Sequence, residues 1–266
     1  MIPIIKLIFF AFGLTIGSFL NVVIYRLNTN RSLGGRSACM SCESKLRFHE
    51  LIPLISFLIL RGRCGTCKTR ISVQYPLVEL ITGFIFVLLF LKFQNLFFVN
   101  LVSFAVSYAY YGILFSILVV IAAYDFRHKI IPDVLSFSFS ALAFLGIFFF
   151  QNSNFLGFSF HLPSIWEFFS GVIIASPFAL LWFISKGAWM GLGDAKLSLG
   201  IGWLLGLTGG FYAVVLAFWI GAISGIILMM TSSRYKMKTE IPFAPYLILG
   251  TLLVFLFNFS FLQIIF

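Results

Sequence analysis

The sequence predicts an all-helical polytopic membrane protein of about eight transmembrane helices, with one small polar domain between the first two. Three observations lead there. The 266 residues are 61% hydrophobic and only 10% charged, against about 25% charged in soluble domains. The apolar residues gather in runs that approach the ~20 a spanning helix requires. The net charge is +10, yet the cations are confined to a few stretches. That confinement speaks for membrane topology and against nucleic-acid binding. The 36 phenylalanines suit lipid-facing and bundle-packing surfaces.

In chain order the apolar segments are 2–24, 76–92, 101–123, 134–150, 166–185, 195–207, 210–231 and 244–266. The first has one lysine, lacks a small-x-small cleavage site and ends in the basic "YRLNTNR", so it is expected to be a retained anchor. Sixteen of the 18 Lys and Arg lie in 25–75, 124–133, 186–196 and 232–241, and the connections 93–100, 151–165 and 208–209 hold none. Positive residues stay cytoplasmic. These four stretches therefore face the cytoplasm, both termini face outward, and 76–266 forms a seven-helix core. Segment 195–207 is short and glycine-rich, which also suits a re-entrant loop. If it did not cross, "SSRYKMK" (232–238) would lie outside, so a crossing through a thinned or water-accessible region is expected.

The stretch 25–75 is the one sizeable polar piece, and it holds all four cysteines of the chain. They form "CMSC" (Cys39, Cys42) and "CGTC" (Cys64, Cys67), separated by 21 residues. Paired CxxC knuckles match the tetrahedral spacing of a zinc ribbon. The cytosol keeps thiols reduced, and a loop without a core gains from a metal staple. A structural Zn2+ held by four thiolates is expected, with a redox pair or free thiols as the competing readings. His49, between the knuckles, is surplus to a four-ligand set and reads as a surface residue.

Six acidic residues lie outside that loop: Glu79, Asp125, Asp133, Glu167, Asp194 and Glu240. Ionisable groups near membrane depth are functional candidates by default, and each also has a plainer reading. Asp133 in "KIIPDVL" and Glu79 in "QYPLVEL" sit just after prolines, where an acid in the first turn stabilises a helix start. Glu167 and Glu240 read as solvated. Asp125 ends the third span, where the helix dipole disfavours a negative charge; Arg127, His128 and Lys129 could compensate it. Asp194 suits an N-cap. Topology nevertheless brings Asp125 and Asp194 to the cytoplasmic ends of their helices at similar depth. Two carboxyl groups brought together share one proton. One can then act as base on water and the other as acid on a carbonyl oxygen, as in aspartic proteases. Gly191 and Gly193 would let an extended peptide approach without side-chain obstruction.

"GSFLNVVIYRL" (17–27), the paired CxxC knuckles, "YPLVELITG" (75–83), "DFRHKIIPD" (125–133) and "GLGDAKL" (191–197) occur in that order. Together they resemble the type IV prepilin peptidases, the bifunctional leader peptidase/N-methyltransferases. The GxGD motif is also similar to that of presenilin-type intramembrane proteases. The resemblance implies an enzyme of the bacterial cytoplasmic (inner) membrane that cleaves the basic leader from prepilins or pseudopilins at the cytoplasmic face. It implies methylation of the new N-terminus with S-adenosylmethionine, although no glycine-loop cofactor signature is present. It makes Asp125 and Asp194 the catalytic pair and the four cysteines the zinc ligands. Glu79, Asp133, Gly191, Gly193 and Lys196 are expected near the substrate, the two acids toward its positive leader. The basic loops are assigned to topology and anionic lipids. A transporter would also carry intramembrane acids and broken helices, but should show repeat symmetry and midplane charges. A non-catalytic assembly scaffold would have no use for the aspartate pair.

Overall fold

A computed structural model describes residues 2–29, 34–35, 37–150, 158–231 and 241–257. The 232–240 part of the last basic loop, including Glu240, and the end of the eighth predicted span lie outside the described residues. The elements are α1 (Ile2–Arg26), a 3-10 turn (Phe48–Leu51), α2 (Ile55–Ile59), α3 (Gln74–Val99), α4 (Leu101–His128), α5 (Asp133–Gly146), α6 (Ile165–Ser185), α7 (Leu192–Thr231) and α8 (Ala244–Phe257). Each predicted apolar segment is carried by one of these helices. Five of them, α1, α3, α4, α6 and α7, are long and apolar enough to cross a membrane, and α5 and α8 are shorter apolar helices. Among the described residues there is no β-strand, only two isolated bridges.

Capping explains several boundaries. Asn100 precedes α4 and its side chain accepts the Ser103 N–H at 3.1 Å. Ser164 and Glu167 form a reciprocal capping box at the start of α6, the S-x-x-E pattern that satisfies two orphan helix-end donors. Glu167, expected to be simply solvated, thus has a structural partner. Asp133 opens α5 directly after Pro132, as the proline-acid pattern leads one to expect.

The predicted spans 195–207 and 210–231 form one continuous element interrupted at Gly206, whose φ of 71° and ψ of −179° are not helical. A Cβ on Gly210 would lie 3.3 Å from the Gly202 Cα. Eight residues of unbroken helix would separate them by ~12 Å. The chain therefore doubles back at Gly206, a conformation that favours glycine, and α7 is two helices packed against each other.

The chain divides into two compact units, 1–94 and 95–266. In the first, α1 lies on α3 so closely that a Cβ on Gly17 would come within 2.7 Å of the Glu79 Cα. Stacked ring pairs Phe9–Phe90 and Tyr25–Tyr75 line the same seam. In the second, α7 is the centre and packs against α5, α6 and α8. The α6–α7 contact is backbone on backbone: a Cβ on Gly202 would meet the Ser170 carbonyl oxygen at 2.6 Å and the Gly171 Cα at 2.7 Å. Ser170 Oγ donates to the Gly202 carbonyl at 2.9 Å, and Trp203 Nε1 donates to the Phe168 carbonyl at 2.9 Å. Small residues with cross-helix hydrogen bonds are how helices associate where lipid removes the hydrophobic drive.

Gly202→Leu should force α6 from α7 and lower the midpoint of thermal unfolding in detergent, by a loss of about 1–3 kcal/mol or more. Gly225→Ala, whose new Cβ would meet only Ile241 at an ordinary 3.6 Å, should be neutral or stabilising by about 0.5–1 kcal/mol. Equal unfolding midpoints for Gly202→Leu and the parent would refute the close approach.

Candidate active site

Four helix ends meet at one end of the second unit. Asp125 lies in the last turn of α4, which closes at Lys129 in the left-handed conformation with its N–H bonded to the Asp125 carbonyl at 2.7 Å. Asp194 lies in the first turn of α7, two residues inside its start rather than at the N-cap. Its N–H bonds the Gly191 carbonyl at 3.2 Å, and its carboxyl group is engaged by the Gly191 backbone. The N–H of Ala244, at the start of α8, faces the Asp125 carboxyl group. Asp133 begins α5.

Both aspartates are buried, at 5% and 9% exposure, and their carboxyl groups lie within electrostatic reach of each other. Asp125 Oδ2 has no hydrogen-bond partner among the described residues. A buried carboxylate oxygen without a donor is costly to maintain for stability alone. The positive ends of α7 and α8 are directed at this pair, which partly offsets the unfavourable position of Asp125 at the negative end of α4.

The remaining predicted residues fall in different settings. Lys196 Nζ contacts Asp133 Oδ1 at 2.7 Å, with Lys196 held 5.2 Å over the Phe137 ring. Asp133 is 63% exposed in this pair, so it remains open to solvent. Gly193 packs beneath Ile131: a Cβ there would lie 2.9 Å from the Ile131 Cβ. Its lack of a side chain is needed to seat the α4–α5 turn on the start of α7. Gly191 is exposed, and a Cβ on it would approach Asp194 Oδ2 at 3.7 Å. Glu79 belongs to the first unit. It is buried at 7% exposure and its Oε2 accepts the Leu54 N–H at 2.9 Å.

One part of this end was not singled out from sequence. The segment "IPFAP" (241–245) delivers the Ala244 N–H to Asp125, and an apolar recess of ≈ 230 Å³ opens beside it, lined by Phe218, Gly221, Ile241, Pro242, Phe243 and Tyr246 among others. A proline in the first turn of an apolar helix was the available signal. Beyond Gly221, α7 continues for ten residues to Thr231, about 15 Å, with Ile226, Ile227 and Met230 still exposed. Apolar helix surface thus rises past the level of α8's start.

In the first unit the two CxxC knuckles repeat one hydrogen-bond scheme. Cys39 N–H bonds the Ser44 carbonyl at 3.0 Å and Cys64 N–H the Thr69 carbonyl at 2.9 Å. Glu43 and Lys68, four residues after the leading cysteines, both take positive φ. Each knuckle is closed by an antiparallel bridge, Ala38 to Lys45 and Arg63 to Arg70. The four Sγ atoms lie within 4.8 Å of one another, and Cys39 and Cys67 are 3.8 Å apart. Tetrahedral ligands at a Zn–S distance of about 2.3 Å would sit ~3.8 Å apart, so the cluster could hold a metal of that size. The Ser44 hydroxyl lowers the pKa of Cys42, the Cys67 and Thr66 backbone amides that of Cys64, and the Thr69 hydroxyl that of Cys67. Three of four thiols are biased toward the ligating thiolate.

Two family models match the chain: the bacterial peptidase A24 N-terminal domain over residues 11–93 and the type IV leader peptidase family over 112–229. The chain is 32% identical over 256 residues to the prepilin leader peptidase/N-methyltransferase of Bacillus subtilis, covering 94% of both chains. It is 31% identical over 250 residues to the like-named protein of Myxococcus xanthus, covering 90% of this chain and 67% of that one. With the Pseudomonas aeruginosa protein of that name it shares 30% identity over 267 residues, covering 88% and 84%. No solved structure matches. Asp125 and Asp194 of the second unit and the four cysteines of the first lie within the two matched regions, and the chain belongs to the type IV leader peptidase family.

Proposed function

We propose that this multi-pass inner-membrane protein is a prepilin peptidase and N-methyltransferase in which Asp125 and Asp194 cleave the leader. The observation that carries the reading is the convergence of two buried aspartates from separate helices, one with an oxygen that no described group satisfies. In the cleavage step one carboxylate takes a proton from water as the water oxygen attacks the scissile carbonyl carbon. The other carboxyl group donates its proton to the carbonyl oxygen. Collapse of the tetrahedral gem-diol expels the amine, which takes a proton from the pair, while a diol hydroxyl returns its proton to the pair as the C=O re-forms, so one shared proton remains. The backbone at Gly191, just before α7, and at Ala244, the start of α8, faces the pair. Gly191 is the open edge along which the substrate backbone approaches, and the exposed carboxylate of Asp133 meets the basic leader.

The reading places 25–75 and the aspartates at the cytoplasmic face, with 1–24 as an anchor and 76–266 as the peptidase core. The cation distribution supports this orientation, as does the reversal at Gly206, which returns the chain to the side from which α7 starts. Cys39, Cys42, Cys64 and Cys67 would hold a Zn2+ through four thiolates, a ligand set that would make the ion structural and leave cleavage to the aspartates. S-adenosylmethionine supplies the methyl group when bound. In the first unit Asn21 Oδ1 and Gln74 Nε2 are buried without partners among the described residues, and Asn21 Nδ2 donates to the Tyr75 carbonyl at 3.0 Å. An acceptor and a donor so placed suit the ammonium and carboxylate of that cofactor's amino-acid end.

Asp125→Asn and Asp194→Asn should each reduce leader removal from a purified prepilin by at least about 10²-fold while leaving membrane abundance unchanged. Asp133→Asn should retain measurable cleavage. Product mass distinguishes the outcomes, and robust cleavage by either of the first two variants would end the dyad mechanism.

Elemental analysis of the purified protein should find about one zinc per chain. Cys39→Ser and Cys64→Ser should lose it and lower the yield, because folding of the loop is coupled to metal binding. Metal-free protein of undiminished stability would exclude a structural site.

Methylation should require prior cleavage, since only cleavage exposes the amine. Without S-adenosylmethionine the product should be unmodified mature pilin; with it, the product should gain the mass of one methyl group at an unchanged cleavage site. Asp194→Asn given pre-cleaved pilin should still methylate. A folded Asp194→Asn protein inactive in both assays would refute separate sites.

A further inference from the structure

The polar domain between α1 and α3 contains one segment that is not polar. Residues 48–60, "FHELIPLISFLIL", form the 3-10 turn, α2 and their connection. Phe48 is 86% exposed, Leu58 73% and Ile59 74%, and Leu51, Ile52 and Ile55 are exposed beside them. No residue of the 3-10 turn or α2 is buried. An apolar surface of this kind is unusual facing water.

The segment is held in place at both ends. Glu50 Oε2 accepts the Arg47 N–H at 2.7 Å, and its Oε1 reaches the Gly65 backbone of the second knuckle so closely that a Cβ there would collide with it. Leu54, at positive φ, donates its N–H to buried Glu79 Oε2 at 2.9 Å. Glu79 lies five residues into α3, about 7.5 Å along a helix that crosses the membrane. The Leu54 bond therefore fixes the apolar segment at the depth of the first turns of that span. Exposed Lys45, Arg47, Arg61 and Arg63 bracket the segment on both sides.

We propose that residues 48–60 are an interfacial element that inserts Phe48, Ile55, Leu58 and Ile59 into the headgroup–acyl boundary of the bilayer. Arg47, Arg61 and Arg63 contact anionic headgroups above it. Depth, apolarity and flanking charge agree: apolar faces with basic margins bind the interface plane through buried area and attraction to anionic lipid. The continuity of the segment with α3 selects lipid as the occupant over a soluble partner. The cysteine knuckles on either side are then held against the membrane surface rather than projecting from it.

The test uses full-length Phe48→Trp and Leu58→Trp proteins in vesicles of phosphatidylcholine and phosphatidylglycerol, with the emission of the five native tryptophans subtracted as the parent signal. Phe48→Trp is an aromatic exchange at an exposed site, so it remains informative if Leu58→Trp does not fold. The added emission should be blue-shifted and mostly lost when the lipids carry bromine near the glycerol end of the chains. Raising the phosphatidylglycerol fraction should strengthen the quenching, and Arg61→Gln with Arg63→Gln should weaken that dependence. Red-shifted emission unaffected by brominated lipid would overturn the proposal. So would emission that shifts only on addition of prepilin or on raising protein concentration, which would assign the surface to substrate or to a second copy. Neither readout depends on peptidase or methyltransferase activity.

Discussion

Hydrocarbon offers no hydrogen-bond partner, so every backbone N–H and C=O inside a bilayer must be satisfied by the protein itself. This requirement makes the chain helical in its apolar segments and drives its ionisable groups toward helix ends. It also explains where irregular backbone survives. Gly206 breaks α7 in the interior of the second unit, but Gly202 and Gly210 on either side are packed against each other, and Gly202 also against Ser170 of α6. The break is shielded by protein, and the Ser170 hydroxyl takes up the Gly202 carbonyl.

The same requirement shapes the aspartate end. A carboxyl group there has few neighbours other than helix termini and the opposing acid. Asp125 faces the N–H of Ala244, and Asp194 is engaged by the Gly191 backbone. The approach of α5 to α7 is set by Ile131 over Gly193, by Ser140 donating to the Lys196 carbonyl at 3.2 Å, and by the Asp133–Lys196 pair. That last pair is substantially exposed, so its contribution to stability is small. The packing of small residues holds the geometry, and the ion pair adds direction.

The first unit meets the requirement differently. Its polar loop has too little core to fold by burial, and it substitutes two like-built knuckles that bring four thiols together. Glu79 ties that loop to α3 by a half-buried hydrogen bond from the Leu54 N–H, a stronger kind of bond because the acceptor is a carboxylate. The loop's apolar segment then shares the depth of the helix start to which it is tied.

Much of this was legible in sequence. The apolar runs, the proline before α5, the glycines at the α7 break and the CxxC spacing are local signals, and each depends on backbone and side-chain chemistry within a few residues. They determined the helical class, the segment order, the cysteine cluster and the candidacy of Asp125 and Asp194. Other features rest on residues distant in the chain: Ala244 against Asp125, Ile131 on Gly193, Lys196 with Asp133, and Leu54 with Glu79. Glu79 and Asp133 looked alike as first-turn acids after proline. One is buried against a loop amide and the other exposed beside a lysine, and only the tertiary structure separated them. Burial and hydrogen-bond partners are properties of neighbours in space, and a run of adjacent residues does not contain them.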